Sequence, residues 1–234
     1  DVDAEVTVEN ATGPLKLNGN ITDGKYKPGD GVTFNSKLSL IPPFVYQKGK
    51  IKLTFNSGEI GVNVKSSAIE EVSFNVDVDA EVTVENATDK LKLHGDITGG
   101  TYKPGEGVTF DSSLTLTPTF VYEKDKVKLT FKSGQIKVDV DNSSLTQVTF
   151  NINVDAEVKI DNAPNPLKLN GDISNGTYKP GEGVGFKATL KLIPPFVYEK
   201  DKVKLTFKSG QIDVDVKSSA LTQATFNIDV DAEV

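Results

Sequence analysis

A hexapeptide that returns at a fixed interval constrains the fold of this 234-residue chain more than any other feature. Asp-Val-Asp-Ala-Glu-Val begins at residues 1, 77 and 229, and residue 153 begins the same stretch with Asn in place of the first Asp. The interval is 76 residues each time. Since self-similarity at a fixed period marks repeat architecture, we expect three repeats, 1–76, 77–152 and 153–228. Residues 229–234 are then the first strand of a fourth repeat or an assembly strand.

Within each repeat, apolar and polar residues alternate, which is the period of a half-buried strand. In the second repeat, Pro104-Gly105 suits the centre of a type II turn, and Gly99-Gly100 and Lys132-Ser133-Gly134 are expected to end strands. No sustained 3.6-residue apolar period is present, so essentially no helix is expected. About seven short strands per repeat predict an all-β chain of three tandem immunoglobulin-like antiparallel β-sandwiches.

The alternation does not break where one repeat meets the next. Apolar residues continue at every second position through Val72–Val84 and again through Val148–Ile160, and neither stretch contains Gly or Pro. We therefore predict that the last strand of one repeat runs directly into the first strand of the next. A joint without a hinge residue should make the array stiff.

Composition excludes several classes of function. The chain has no Cys and one His, so disulfide frameworks, zinc sites and Ser–His–Asp or Cys–His catalysis are not expected. The net charge of −7 argues against nucleic acid as a partner, and no apolar run approaches the length that spans a bilayer, so no membrane insertion is expected. His94 stands where the other repeats have Asn18 and Asn170, which favours an ordinary polar role beside a turn. We expect no enzyme and no cofactor apart from calcium.

Acidic residues on the outer face of the joint strands suggest that cation. Carboxylates at i, i+2 and i+4 project from one side of a strand about 6–7 Å apart, and oxygen ligands suit calcium. The candidate ligands are Asp77, Asp79, Glu81, Asp155 and Glu157. The alternative is a solvated charged face that prevents sheet edges from aggregating.

Asn-x-Ser/Thr sequences are candidate glycosylation sites if the protein is exported by an organism that glycosylates. They begin at Asn10, Asn20, Asn86, Asn142 and Asn175, all in predicted turns or strand ends.

A nine-residue segment in each repeat carries a resemblance. Tyr26–Phe34 and Tyr102–Phe110 follow the pattern Tyr-x-Pro-Gly-(Asp/Glu)-x-Val-Thr-Phe, and Tyr178–Phe186 differs in having Gly185 for the Thr. This resembles the turn and strand of tandem Ig-like repeats in prokaryotic surface proteins of adhesin, surface-layer or extracellular-fibre type. The resemblance implies an extracellular or cell-surface location and a structural role, and it transfers no functional residue.

The first hypothesis is a rigid extracellular rod, fibre or adhesin stalk whose partner is the chain itself, as a homopolymer or a longer array. The last six residues have no sandwich to complete and are expected to be unpaired within the chain. They would then pair with the next molecule by strand addition, giving a head-to-tail fibre. The residues of this assembly strand are Asp229, Val230, Asp231, Ala232, Glu233 and Val234.

The alternative is a module that binds surface glycans or lipid through aromatic strips at Pro42–Tyr46, Pro118–Tyr122 and Pro194–Tyr198. Buried rings in these strips would favour the rod. A third hypothesis is an open β-groove that carries lipid, which predicts a continuous sheet with one apolar concave face instead of closed sandwiches.

Overall fold

The computed structural model describes residues 1–117 and 119–233. These residues form sixteen β-strands, and none of them is helical, as the period of two predicts. Accordingly, they include no helix long and apolar enough to cross a membrane. In chain order the strands are β1 (Val2–Val6), β2 (Leu15–Lys27), β3 (Gly31–Leu40), β4 (Phe44–Lys48), β5 (Ile51–Lys65), β6 (Ala68–Val82), β7 (Leu91–Lys103), β8 (Gly107–Leu116), β9 (Phe120–Lys124), β10 (Val127–Asp141), β11 (Ser144–Val158), β12 (Leu167–Lys179), β13 (Gly183–Leu192), β14 (Phe196–Lys200), β15 (Val203–Lys217) and β16 (Ala220–Glu233).

All sixteen strands belong to one antiparallel sheet. Its main path is β1-β2-β3-β5-β6-β7-β8-β10-β11-β12-β13-β15-β14, and β4, β9 and β16 pair beside this path with β5, β10 and β15. The prediction of an all-β antiparallel fold is therefore confirmed at this level.

The chain forms two compact units. The first contains Asp1–Thr83, Leu91–Thr115 and Lys137–Gln147, and the second contains the described residues of Val84–Lys90, Leu116–Ile136 and Val148–Val234. Three of the boundaries between the units fall inside strands, namely β8, β10 and β11. Neither unit coincides with one 76-residue repeat.

The predicted joint strands are confirmed. β6 crosses the boundary between residues 76 and 77, and β11 crosses the boundary between residues 152 and 153; both are 15 residues long. In the first unit, β6 pairs with β5 from Ala68 to Val82 and with β7 from Val72 to Val82. The repeat boundary therefore lies in a strand that is held on both edges.

The predicted strand ends at two glycine-containing segments are wrong. β7 continues through Gly99-Gly100 with a register shift, because the ring of Phe74 occupies the space beside Gly100. A Cβ on Gly100 would lie 2.2 Å from Phe74 Cε2, and one on Gly134 in β10 would lie 2.9 Å from Ile152 Cγ1. These glycines permit close approach within a strand instead of ending it.

The predicted type II turn is confirmed in the second repeat. The backbone N–H of Glu106 donates to the Lys103 carbonyl at 3.1 Å, and Gly105 has φ +86°. Positive φ at the third turn position is the conformation that glycine adopts without strain.

A small core in the first unit explains why the apolar positions alternate. Leu17, Leu38, Leu40 and Phe44 are buried together, with Phe55 packed against them. The rings of Phe44 and Phe55 lie 5.6 Å apart. Each strand contributes every second side chain to this core, so the intervening residues face outward.

Candidate functional site at the joint strands

The joint strand β6 separates apolar and acidic side chains onto opposite faces. Val78 and Ala80 are buried, and Val78 is 2% exposed, which makes it the most buried large side chain among the described residues. Asp77 and Asp79 alternate with them on the other face. The same alternation that buries the core therefore presents the acids as a row.

One acid of this row is held from both neighbouring strands in the first unit. Asn56 Nδ2 on β5 donates to Asp79 Oδ2 at 2.8 Å and to Asp77 Oδ1 at 3.0 Å. From β7, His94 Nδ1 lies 2.8 Å from Asp79 Oδ1. Its Nε2 lies 3.6 Å from Asp77 Oδ2. Asp79 is thus the centre of a polar ladder that crosses three strands.

The second unit repeats this ladder with different donors. Lys132 on β10 forms an ion pair with Asp155 on β11, with Nζ 2.5 Å from Oδ2. Asn170 Nδ2 on β12 donates to Asp155 Oδ1 at 2.6 Å. An acid at the same repeat position therefore again receives a donor from each side.

We call the acids at this position the joint carboxylates: Asp3, Asp79, Asp155 and Asp231. Asp3 accepts from Asn18 Nδ2 at 2.8 Å, and Asp231 Oδ2 lies 2.6 Å from Lys208 Nζ. The shared repeat position of Asn18, His94 and Asn170 was visible in the sequence, but their pairing with the joint carboxylates was not predicted. The other donors, Asn56, Lys132 and Lys208, were missed, although they too share one repeat position.

The ladders shift the pKa values of their members. The Asn56 hydrogen bond, helped by His94, lowers the pKa of Asp79 against the opposing effect of burial. Burial also acts to raise the pKa of Asp155, but hydrogen bonds from Lys132 and Asn170 outweigh it and the pKa is lowered. The hydrogen bond to Asp79 and the charge of Asp77 raise the pKa of His94. The expected ordinary polar role of His94 thus takes the form of an ion-pairing partner on a strand.

The five candidate calcium ligands lie on the acidic faces of β6 and β11. Glu81 faces Lys52 at 3.9 Å and Glu157 faces Lys168 at 3.9 Å. Within the described ranges, no three His, Cys, Asp or Glu side chains gather as a metal-binding group. Calcium binding stays a prediction; it requires a higher melting temperature in millimolar calcium than in excess chelator, and equal temperatures would refute it.

The aromatic strips are not exposed platforms. Phe44, Phe120 and Phe196 are buried at 8%, 6% and 5% exposure. The following tyrosines are half-buried. Pro118, which begins the middle strip, lies outside the described residues. The rings belong to the core, the outcome that favours the rod.

The five candidate glycosylation asparagines are all exposed. Asn10, Asn86 and Asn142 lie in turns with φ of 64°, 63° and 49°. Asn20 lies within β2, and Asn175 within β12, so the expected placement of all five in turns or strand ends is wrong for these two. Glycosylation stays a prediction.

The expectation that the assembly strand is unpaired within the chain is wrong. β16 pairs antiparallel with β15, and the assembly strand is included from Asp229, opposite Ser209, to Glu233, opposite Lys204. Val234 lies outside the described residues. Among the described strands, β16 pairs with β15 alone, and all of its described residues are exposed. One edge of the assembly strand is therefore satisfied and the other faces solvent.

An apolar cavity of about 820 Å³ lies in the first unit. Its lining includes Leu40, Phe44, Phe74, Tyr102 and Val108. This volume is within the range of small-molecule pockets, about 300–1,000 Å³. A mostly apolar lining of this size suits an apolar ligand.

No protein-family model, no curated protein and no solved structure matches this chain.

Proposed function

We propose that this protein is a structural repeat protein that forms a rigid extracellular rod, fibre or adhesin stalk. The observation that carries the proposal is β6, which crosses a repeat boundary without Gly or Pro and is hydrogen-bonded along both edges. Antiparallel hydrogen bonds run perpendicular to the strands. A pull along the strand therefore loads many of them together.

The polar ladders support the same function. Each internal joint carboxylate, Asp79 or Asp155, links the strand before it to the strand after it. Exposed ion pairs contribute little to stability individually, typically below about 1 kcal/mol. Their contribution here is to fix register, since a slip by one residue would turn each acid toward the core.

The immunoglobulin-like sandwich is part of the proposal. Leu17 on β2, Leu38 on β3 and Phe44 on β4 belong to one buried cluster, and a buried apolar face of this kind supports a second layer packed on it. Repeats of this size bury only about 60% of their unfolded surface, so sharing a strand with the neighbour adds stability. The partner is the chain itself, and five exposed Asn-x-Ser/Thr sites support a cell-surface location.

Single-molecule force spectroscopy tests the function directly. The chain, tethered at its two ends, should resist extension and then rupture abruptly. A flexible Gly-Ser linker inserted after Asp77 should lower the rupture force, because it interrupts β6. The same linker inserted after Asp125, an exposed turn residue, serves as the control. Gradual extension of the unmodified chain at low force, or equal rupture forces for the two insertions, would contradict the proposal.

A second candidate is binding of an apolar ligand such as a lipid chain, favoured by the cavity in the first unit. Phe44 of the Pro42–Tyr46 strip lines that cavity and is buried. This strip would therefore contact a ligand inside the cavity and would not bind glycans on the surface. Native mass spectrometry after incubation with a long-chain fatty acid should then show a bound adduct. Its absence, together with a blank glycan array, would reject this candidate.

A further inference from the structure

β16 exposes apolar side chains along its outer edge. The strands at the same position of the other repeats, β6 and β11, are covered there by β7 and β12. Phe226 is 72% exposed, whereas its counterparts Phe74 and Phe150 are half-buried. Ile228 on the same strand is 38% exposed, whereas its counterpart Val76 is 9% exposed. In the internal repeats the covering strand belongs to the following repeat.

A complementary surface lies on β2. Tyr26 is 72% exposed, whereas its counterpart Tyr102 is 39% exposed. Ile21 on the same strand is also exposed, at 46%. β1 covers only residues 15–19 of β2. The rest of that edge, from Asn20 to Lys27, has no neighbouring strand among the described residues.

The internal joints show what fits between two such surfaces. Phe74 lies against Gly100, and a Cβ on that glycine would be 2.2 Å from the ring. Phe150 lies against Gly176 with the same separation of 2.2 Å. The third glycine at this repeat position is Gly24 in β2, and no described atom lies within 4 Å of its Cβ position. The space beside Gly24 is therefore open, whereas a phenylalanine ring packs against the glycine at the same position of the other two repeats.

We propose that the outer edge of β16 in one copy pairs antiparallel with β2 of a second copy, with Phe226 seated on the second copy's Gly24. This inference rests on the proposed structural function and names its partner and its contact. The partner is a second copy because β6–β7 and β11–β12 already form the same interface within the chain.

The internal interfaces also fix the register. In β6–β7, Val72 pairs with Tyr102, Ser73 with Thr101, Phe74 with Gly100 and Val76 with Ile97. The corresponding pairs across the two copies are Ala224 with Tyr26, Thr225 with Lys25, Phe226 with Gly24 and Ile228 with Ile21. All of these β2 residues lie beyond the part that β1 covers.

Further along, the same register calls for strand exchange. Val230 would face the second copy's Gly19, which Val2 faces within one chain. Residues 230–233 have the same sequence as residues 2–5, so one segment replaces the other without changing a side chain. In this exchange, residues 230–233 displace β1 from β2 of the second copy. β1 is a five-residue strand that is paired on one edge, whereas residues 230–233 continue a 14-residue strand.

The exchange also completes a polar ladder. Asp231 is held by Lys208 from β15, and the second copy's Asn18 would donate to it from the other side. That arrangement reproduces Lys132–Asp155–Asn170 within the chain. The junction therefore has an internal precedent for its apolar contact, its register and its ladder.

Disulfide trapping in the cysteine-free chain tests the proposal. The double variant Lys25→Cys with Thr225→Cys places two thiols opposite each other across the proposed pair of copies. On mild oxidation it should give a ladder of covalent multimers on a denaturing gel. The matched control, Lys25→Cys with Asp229→Cys, is out of register by four residues and should stay largely monomeric. No ladder from the first pair, or equal ladders from both, would overturn the proposal.

Two variants separate the contact from folding. Phe226→Ala and Gly24→Val should abolish multimers in sedimentation velocity while leaving the monomer's melting temperature nearly unchanged, since both positions are exposed or open. Ile193→Ala, which removes another exposed apolar side chain far from both strands in sequence, should retain assembly. Multimers that persist in both Phe226→Ala and Gly24→Val would also overturn the proposal.

These results can be told apart from failure of the structural function. If the covalent multimers do not form while the tethered single chain still ruptures abruptly, the proposed partner is wrong and the mechanical function stands. If the covalent multimers form while the single chain extends gradually, the proposed assembly stands and the mechanical function fails.

Discussion

The polar ladders show how a single residue position can differ between repeats and keep one role. Asp79 receives Asn56 and His94, whereas Asp155 receives Lys132 and Asn170. A neutral amide, an imidazole and an ammonium group all donate to the same carboxylate position. What the fold requires there is a hydrogen-bond donor.

The imidazole is the one member of the ladders that titrates near neutral pH. The pKa of His94 is raised above its ordinary 6.5 by Asp79 and Asp77, so the protonated form is favoured in the folded state. Its stabilising contribution is fully present below the unfolded pKa and is lost as pH rises through the folded value. Because the side chain is 51% exposed, we expect a contribution below about 1 kcal/mol.

His94→Asn, which copies the residue of the other two repeats, should remove this pH dependence. Urea denaturation between about pH 5 and 9 should show the wild-type advantage shrinking with rising pH. Since His94 is the only histidine, the NMR titration of one imidazole measures the pKa directly. A measured pKa of His94 at or below 6.5 would contradict its pairing with Asp79 and Asp77.

Glycine identity should matter at Gly100 and not at Gly24. Gly100→Ala drives a Cβ into the Phe74 ring and should destabilise the fold by about 1–3 kcal/mol, the usual range for overpacking. Gly24→Ala meets open space in the monomer and should change stability by less than about 0.5 kcal/mol. Thermal or urea unfolding of the two variants compares their losses of stability. Equal losses would show that the Phe74 ring can move away from residue 100.

Sequence reasoning was least able to predict at this scale. It identified Asp79 and Asp155, but not Asn56 or Lys132, because those donors stand on a neighbouring strand more than twenty residues away. The alternation places a polar side chain on a face, and only strand register decides which polar side chains meet.

At the scale of the strand, the sequence was more informative. Uninterrupted alternation through Val72–Val84 predicted a shared strand, and β6 is that strand. Gly99-Gly100 and Gly134 misled, because glycine is equally suited to a turn and to a close approach within a strand. Which of these occurs depends on Phe74 and Ile152, residues on another strand. No local pattern contains that information.

Burial along the joint strand should decide the cost of truncation. Val78→Ala, at the most buried position of β6, should cost about 2 kcal/mol, as for other deletions of buried methyl groups. Val230→Ala, measured at a concentration where the chain is monomeric, is the matched control, because it occupies the same repeat position in β16 and is 44% exposed. We expect less than about 0.5 kcal/mol there. Equal costs in chemical denaturation would mean that β6 is not covered as described.

At the scale of the whole molecule, the fixed period predicts that stability grows with the number of repeats, since each new repeat covers the edge of the last. The period was visible in the sequence. The division into two compact units was not, because three of its boundaries fall inside β8, β10 and β11 instead of at the repeat boundaries.

Extending the chain after residue 234 by one 76-residue period, a copy of residues 159–234, should therefore raise the free energy of unfolding by more than a surface substitution does. Burying Phe226 as far as Phe74 and Phe150 are buried should alone contribute about 1 kcal/mol. The melting temperature of the four-repeat chain should exceed that of the three-repeat chain, and Phe226→Ala should reduce the gain. An unchanged melting temperature would show that the repeats are independent.

Native-state hydrogen exchange at the backbone amides of β6 tests most directly whether neighbouring repeats share one strand. A strand paired on both edges opens only with the structure around it. We predict that the amides from Val76 to Ala80, which span the repeat boundary, exchange as slowly as those from Val72 to Phe74. Much faster exchange at Val76 and Asp77 than on either side would reveal a hinge at the boundary and contradict the account.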